Sequence, residues 1–300
     1  MSYPKREGEG MKEDPSDALD RTNTAIVIDS CADLPDEVVA DPNLAMVPLK
    51  LHFGDDTFRD WLDIRPAEFY ARLEKAERLP TTSQPSAGEF QSEYRRLRER
   101  FDHIFSIHLS DKLSGTFSSA SLGKEGFAGI TVVDSEMASL AVGLLVYRLL
   151  GLLDRGTTRG EFLEYIDRYR RKAGRLFLLD TLEYLQKGGR IGKASSVAGS
   201  LLHIKPLLTF NDGIVDAYKK VRGERKAMIA MQEYLLELTQ PGPPVRVCIG
   251  HGAAPEKADE LAALIQATDR TIDICLRGEV GAVIGTYAGP GAVALFFIQE

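Results

Sequence analysis

The stretch AIVIDSCADLP, residues 25–35, carries the clearest structural signal in this 300-residue chain. Four apolar residues are followed at once by polar residues and a proline, which is typical of a buried strand, a loop and the start of a helix. The same order recurs in HIFSIHLS, residues 103–110, and in ITVVDSEMASL, residues 130–140. Because such short strands alternate with helical segments, the sequence predicts a parallel sheet covered by helices.

Polar side chains follow each of these three predicted strands. They are Asp29 with Ser30, then Ser110, then Asp134 with Ser135. The carboxyl ends of parallel strands lie at one edge of a sheet, and ligands bind there. We therefore expect these hydroxyls and carboxylates to converge on one edge.

The second half of the chain has a different pattern. Residues 206–221, PLLTFNDGIVDAYKKV, predict a hairpin because Asn-Asp-Gly supplies the backbone conformations of a tight turn. A helix at about residues 223–238, a strand at 245–252 and a helix at 255–267 follow. Residues 280–298 are uncharged and rich in glycine, and we expect two buried strands joined by a turn there.

These patterns predict an α/β protein in three parts. Residues 1–23 are polar and rich in glycine and charge, and we expect a disordered tail. Residues 24–165 form an N-terminal Rossmann-like domain with a parallel sheet, and residues 166–300 form a C-terminal α+β domain. The length of 300 residues agrees with two packed units, since one core rarely grows beyond roughly 250–300 residues.

Composition argues against several classes of partner and site. The chain has 37 basic and 44 acidic side chains, which gives a net charge of −7 and argues against nucleic acid or an anionic membrane as partner. Cys31, Cys248 and Cys275 are far apart and form no metal or disulfide pattern, so a reducing cytoplasm is the expected compartment. The apolar run 138–153 contains Arg148 and is short for a bilayer span, so no transmembrane segment is expected.

Motifs of known catalytic or metal sites are missing from the sequence. GGRIGK, residues 188–193, resembles a phosphate loop, but it is preceded by Lys187 rather than glycine and followed by Ala194 rather than a hydroxyl residue. A basic turn is the favoured interpretation. The five histidines have no metal-ligand spacing, and no GxSxG elbow is present. We predict no catalytic residue, metal or cofactor.

Two hydroxyl-rich segments, which we expect to form loops, are the strongest candidates for a binding site. TTSQPS, residues 81–86, and LSGT, residues 113–116, each precede a predicted helix. Hydroxyls and backbone N–H groups at a helix N-terminus stabilise a carboxylate or phosphate. A helix N-cap, which needs only one hydroxyl, is the alternative, and the residues alone leave both open.

The order of the motifs along the chain closely resembles the DegV family from about Thr24 to the end. The matching motifs are DSCADLP (29–35), TTSQPSAGEF (81–90), LSDKLSGTFSSA (109–120), VVDSEMASLAVGLLV (132–146), DTLEYLQKGGRI (180–191), IKPLL (204–208), KVRGERKA (220–227) and IGTYAGPGAVAL (284–295). The resemblance implies a two-domain, DegV-like protein that binds a long-chain fatty acid with its tail buried between or within the domains. It also implies a partner, because many such proteins present the carboxylate to a separate ATP-dependent fatty acid kinase subunit, which forms an acyl phosphate.

By motif, Thr82 and Ser83 of TTSQPS and Ser114 and Gly115 of LSGT match the positions that bind the head group in this family. Tyr287 stands where the family usually has the histidine of GTHTGPG. A phenol can donate one hydrogen bond but cannot become cationic.

Arg222 of KVRGERKA matches a surface arginine that the family associates with kinase docking. Two other functions stay open at this point. One is an acyl hydrolase that uses Ser114 with His251 and Asp134, and the other is a sensor whose bound lipid controls its affinity for a partner.

Overall fold

The computed structural model describes residues 17–197 and 204–300. The strands are β1 (Ala18–Leu19), β2 (Thr24–Asp29), β3 (Leu44–Val47), β4 (Lys50–Phe53), β5 (Asp56–Arg59), β6 (Thr81–Ser83), β7 (His103–His108), β8 (Ile130–Asp134), β9 (Thr157–Thr158), β10 (Gly174–Leu178), β11 (Ile204–Asn211), β12 (Ile214–Arg222), β13 (Val245–His251), β14 (Ile272–Glu279) and β15 (Val293–Gln299). The helices are α1 (Asp36–Val39), α2 (Pro66–Lys75), α3 (Ala87–Arg98), α4 (Thr116–Gly123), α5 (Leu140–Arg155), α6 (Arg159–Lys172), α7 (Glu183–Lys187), α8 (Glu224–Leu238), α9 (Pro255–Gln266) and α10 (Ala282–Ala288).

The N-terminal sheet has the spatial order β3-β2-β7-β8, and all of its strands are parallel. All six residues of β2 are buried because the sheet is covered on both faces. Ile26 and Ile28 pack into the core that contains α5, whereas Ala25 and Val27 pack against α3. The predicted α/β fold with a helix-covered parallel sheet is confirmed.

The second large sheet has six strands in the order β12-β11-β10-β15-β13-β14, and its neighbours are antiparallel except for β13 and β14. The predicted hairpin is β11–β12. Asp212 and Gly213 lie in its turn with φ of 51° and 76°, the left-handed conformations that such a turn needs. Helices α8 and α9 cover one face of this sheet, and the other face points towards α5.

Helix α5 lies between the two large sheets and contacts β2 and β7 of one and β13 and β15 of the other. Ten of its sixteen residues are buried, which explains the apolar run in the sequence. Within the two described ranges, no helix combines the length and the apolar character that crossing a membrane requires.

Residues 17–23 differ from the predicted tail. Strand β1 pairs with β9, and Leu19 is 1% exposed in the main core. Arg21 forms ion pairs with Asp41 and Asp154. These partners are distant in sequence, so local composition could not reveal them, and the rest of the predicted tail, residues 1–16, lies outside the described residues. The predicted domain boundary at 165/166 falls within α6 and stays a prediction.

Residues 280–298 also differ from the prediction, because a helix stands where the first of two strands was expected. The segment forms α10, a turn and β15. The backbone N–H groups of Gly281 and Ala282, at the start of α10, donate to Asp33 Oδ1 and Asp60 Oδ1, each at 2.9 Å. Carboxylates stabilise a helix N-terminus. These two come from the N-terminal half, so the helix depends on tertiary contacts.

Candidate binding site

A cavity lies between the parallel sheet and the six-stranded sheet, and residues of both halves line it. The cavity and its mouth hold about 860 Å³ of space outside the atoms. Apolar side chains form most of the wall, among them Leu49, Leu109, Phe177, Leu179, Phe210 and Phe296.

One end of the cavity is polar and is built from both halves of the chain. Thr82 on β6 and Tyr287 on α10 both line it, and Thr82 Oγ1 lies 2.6 Å from Tyr287 Oη, with either atom able to donate the hydrogen bond. The guanidinium of Arg190 lies 5.0 Å from the centroid of the Tyr287 ring. This end therefore offers hydroxyls and a cation, the groups that bind an anion by charge-assisted hydrogen bonds.

Arg190 is held in place by backbone carbonyls. Its Nε donates to Leu113 O at 3.2 Å and its Nη1 to Gly188 O at 2.8 Å. The first of these bonds brings Ser114, the next residue in LSGT, to the same end of the cavity. Sequence reasoning interpreted the GGRIGK segment only as a basic turn and missed Arg190, although an arginine directly after two glycines was a usable signal.

Two other predicted residues lie beside the cavity without lining it. The hydroxyl of Ser83 bonds to His52 Nε2 at 2.9 Å. At Gly115 an added Cβ would lie 2.3 Å from the Gln84 side-chain oxygen, so glycine lets the two hydroxyl-rich segments pack together. The structure therefore brings Thr82, Ser114 and Tyr287 to the cavity and places Ser83 and Gly115 behind them.

The helix-cap interpretation is correct for one residue of the first segment. Ser86 caps α3, with its hydroxyl accepting from Glu89 N. Thr82 and Ser83 belong to β6, which pairs with β4, so the prediction of a loop there is wrong. The Ser114 hydroxyl pairs with Thr116 Oγ1 at 2.9 Å and does not cap α4. The hydroxyls at the cavity are therefore distinct from the helix cap.

The three residues of the hydrolase alternative have separate partners. Ser114 bonds to Thr116, His251 Nδ1 accepts from Ala254 N, and Asp134 Oδ1 accepts from Glu136 N. Ser114 and His251 both line the cavity, but the hydrogen bonds of their side chains go to these other partners and not to each other. Among the residues that the structure describes, no group of histidine, cysteine and carboxylate side chains could hold a metal ion.

A chain of serine, histidine and aspartate does occur at the edge of the parallel sheet, but it is sealed in the core. Ser106 Oγ lies 2.6 Å from His108 Nε2, and His108 Nδ1 lies 3.0 Å from Asp29 Oδ2. Tyr94 donates to Ser106. All four side chains are buried, so no substrate can reach them, and they satisfy one another's hydrogen bonds. Asp29 and the strand-end residue Asp134 lie at the same edge of the sheet, outside the cavity wall.

Asp33 and Asp60, the two acids that accept the first N–H groups of α10, have raised pKa values. Burial raises the pKa of Asp33 to about 8 and that of Asp60 to about 7. Asp33 also accepts hydrogen bonds from Ser139 and Trp61. These acids support the helix that carries Tyr287.

Residues 23–300 match the model of the family described as "Uncharacterised protein, DegV family". The chain belongs to the DegV family. Protein DegV of Bacillus subtilis is 33% identical over 276 residues, which cover 91% of this chain and 98% of that protein.

Two solved DegV structures share the fold. The structure titled "Fatty Acid Binding of a DegV family Protein from Thermus thermophilus" has a TM-score of 0.89 at 35% identity and covers 93% of this chain and 100% of its own. The structure of DegV from B. subtilis, titled a fatty acid binding protein, has a TM-score of 0.84 at 32% identity with the same coverage of 93% and 100%. The predicted family and its fold are therefore confirmed.

Proposed function

We propose that this protein binds a long-chain fatty acid in the cavity, with the acyl tail against the apolar wall and the carboxylate at the end formed by Thr82 and Tyr287. The observation that carries the proposal is a cavity wall that is mostly apolar and has the hydroxyls of Thr82 and Tyr287 and the guanidinium of Arg190 together at one end. The DegV proteins whose structures are described as fatty acid binding support it.

Tail and head group contribute differently to this binding. Each buried CH₂ group contributes about 0.8 kcal/mol, so the tail supplies most of the affinity. The carboxylate receives hydrogen bonds from hydroxyls, and the neighbouring guanidinium of Arg190 supplies the charge that Tyr287 lacks. Tyr287, with the guanidinium of Arg190 beside its ring, thus takes the place of the histidine that is usual in the family.

We further propose that the bound carboxylate is presented to a separate kinase subunit that provides ATP. Arg222 is exposed at the end of β12, the edge strand of the six-stranded sheet, and Lys219 and Lys220 precede it. A positive edge on a protein of net charge −7 fits an acidic surface on a partner. The cytoplasmic location inferred from cysteine usage stays a prediction.

The binding proposal is tested with protein purified from cells and with protein stripped of lipid. Mass spectrometry of gently denatured protein should release a C14 to C18 fatty acid, and stripped protein should bind hexadecanoate with saturation at one equivalent. Protein that is always empty and does not bind added hexadecanoate would contradict the proposal.

Kinase docking is tested with the ATP-binding subunit of a fatty acid kinase, with acyl phosphate trapped by hydroxylamine. We expect Arg222→Ala to lower the rate of acyl hydroxamate formation by about tenfold without changing hexadecanoate affinity, because a lost charge pair across an interface weakens docking alone. Arg155→Ala, at another exposed arginine, is the matched control. Equal rates for both variants would remove Arg222 from the docking surface.

A further inference from the structure

An outer groove borders the polar end of the cavity. Thr82, Arg190 and Tyr287 line both the cavity and this groove, so these side chains separate one from the other. The groove is open to solvent and holds about 1150 Å³ of space outside the atoms. A group attached to a carboxylate at the polar end would therefore enter the groove.

Positive charge exceeds negative charge along this groove. Arg78, Lys187 and Arg190 line it, with Glu77 as the acidic residue of the wall. Lys187 pairs with Glu183 one helical turn away on the exposed surface, a contact that contributes little and can exchange for a ligand. This local excess is opposite in sign to the net charge of the whole protein, −7.

The position of Lys187 beside the head group depends on close packing of α7 against α10. At Gly188 an added Cβ would lie 2.4 Å from Tyr287 Cδ1, so glycine allows the end of α7 to lie directly on the tyrosine ring. Lys187 is the preceding residue. The backbone at Lys187 is thereby held close to the polar end of the cavity, and its exposed side chain lines the outer groove.

We propose that the outer groove is a phosphoryl subsite, in which Arg78 and Lys187 bind the phosphate of an acyl phosphate whose tail fills the cavity. This inference rests on the proposed function. In the reaction, a carboxylate oxygen attacks the γ-phosphorus of a nucleoside triphosphate held by the kinase subunit. The new O–P bond forms as the bond to the β–γ bridging oxygen breaks, and the nucleoside diphosphate leaves with the electron pair.

The charge change in this step explains the need for additional cations. The reactant carboxylate carries one negative charge, whereas the mixed anhydride carries its charge on a phosphate with three acceptor oxygens. Two cations placed beyond Tyr287 contact the product and leave the carboxylate contacts of the reactant unchanged. The groove therefore distinguishes the product from the substrate.

The test compares two ligands with the same tail region, hexadecanoate and a 2-oxoalkylphosphonate, which mimics an acyl phosphate but cannot be hydrolysed. For Arg78→Gln with Lys187→Gln, we expect phosphonate binding about tenfold weaker and hexadecanoate binding changed by less than about twofold. The control is Arg95→Gln with Lys172→Gln, which removes the same charge from exposed positions away from the groove.

Each result has a defined meaning. Three results would overturn the phosphoryl subsite. They are unchanged phosphonate affinity in the groove variant, an equal loss of phosphonate affinity in the control, and an equal loss of affinity for both ligands in the groove variant. If the unmodified protein fails to bind hexadecanoate, the proposed function itself is wrong, so the two failures are distinguishable.

Discussion

The hydroxyl of Tyr287 joins the two halves of the chain at the head of the cavity, because it shares a hydrogen bond of 2.6 Å with Thr82 Oγ1. The same residue contacts Arg190 through its ring. A single side chain therefore combines a polar contact, a cation contact and the inner wall of the cavity. Its hydroxyl and its ring can be tested separately.

Replacing Tyr287 by phenylalanine removes the hydroxyl and keeps the ring. We expect hexadecanoate binding to weaken by about tenfold, since a hydrogen bond to a charged group contributes roughly 1.5–3 kcal/mol and Thr82 compensates in part. Isothermal titration calorimetry measures the change. Tyr218→Phe is the matched control, because Tyr218 is exposed and bonds to Glu237 at 3.4 Å. Unchanged affinity in the Tyr287 variant would place the carboxylate elsewhere.

Asp60 makes the stability of the protein dependent on pH. Its pKa is raised by burial from 3.8 to about 7, so the folded state retains a proton that the unfolded state loses between about pH 4 and pH 7. The free energy of unfolding therefore falls as the pH rises through this window. Asp33, with a pKa of about 8, acts in the same direction.

Asp60→Asn should reduce this pH dependence. The amide oxygen still accepts from Ala282 N, but no carboxylate ionises, so the loss of stability between pH 5 and pH 8 becomes smaller, with Asp33 supplying the remainder. Urea unfolding at the two pH values measures the slope. Asp63→Asn is the control, because the Arg59 ion pair lowers the pKa of Asp63 to about 2 and it stays ionised throughout this window. Identical slopes for all three proteins would refute the role of Asp60.

At the level of elements, two glycines of helix α5 differ in how closely other atoms pack against them. At Gly143 an added Cβ would lie 2.6 Å from the carbonyl oxygen of Ala32, a backbone atom that cannot move away easily. At Gly151 the same added atom meets nothing within 4 Å. The first glycine is therefore needed for close packing, and the second one is not.

The two glycines of α5 predict opposite effects of the same substitution. Gly143→Ala should destabilise the protein by about 1–3 kcal/mol through overpacking. Gly151→Ala should stabilise it by about 0.5–1 kcal/mol, because alanine favours the helix and restricts the unfolded chain. Each variant controls for the other in urea unfolding. Destabilisation by both would mean that helix packing does not distinguish these positions.

For the whole molecule, the cavity between the sheets sets which ligands fit. Ala294 on β15 lines it. The residues of β15 that follow Ala294 lie alternately in the core under α8 and α9 and on the side of the sheet that faces the cavity. Apolar side chains that would fill a core in other proteins surround an open cavity in this protein. The size of this space, rather than the polar end, should therefore control the choice of chain length.

Ala294→Leu should shorten the preferred fatty acid. The larger side chain fills cavity volume, so we expect affinity for octadecanoate to fall by at least about tenfold and affinity for dodecanoate to change less. Calorimetric titration with both acids gives the ratio. Ala263→Leu, at an exposed position on α9, should leave the ratio unchanged. An equal loss for both acids would show that the substitution disturbs the head group rather than the tail.

Local pattern alone was sufficient for the elements whose partners are close in the chain. The strand at residues 25–28 and the hairpin at residues 206–221 were predicted, because a continuous apolar run and the turn conformations of Asn-Asp-Gly are properties of neighbouring residues. The order of the motifs was sufficient to identify the family and to predict Thr82, Ser114 and Tyr287 together as site residues. Ser83 and Gly115 were in that list too, yet their side chains or backbone support the site from behind.

Long-range contacts account for the features that local pattern missed. Helix α10 exists because Asp33 and Asp60, more than two hundred residues away, accept its first N–H groups, and no local pattern contains that information. Leu19 is ordered by β9, and Arg190 reaches the cavity through the Leu113 carbonyl. Hydrophobic periodicity depends on neighbouring residues and specifies strands and helices, whereas capping by distant carboxylates, the cavity and its polar end arise only when the two halves of the chain pack together.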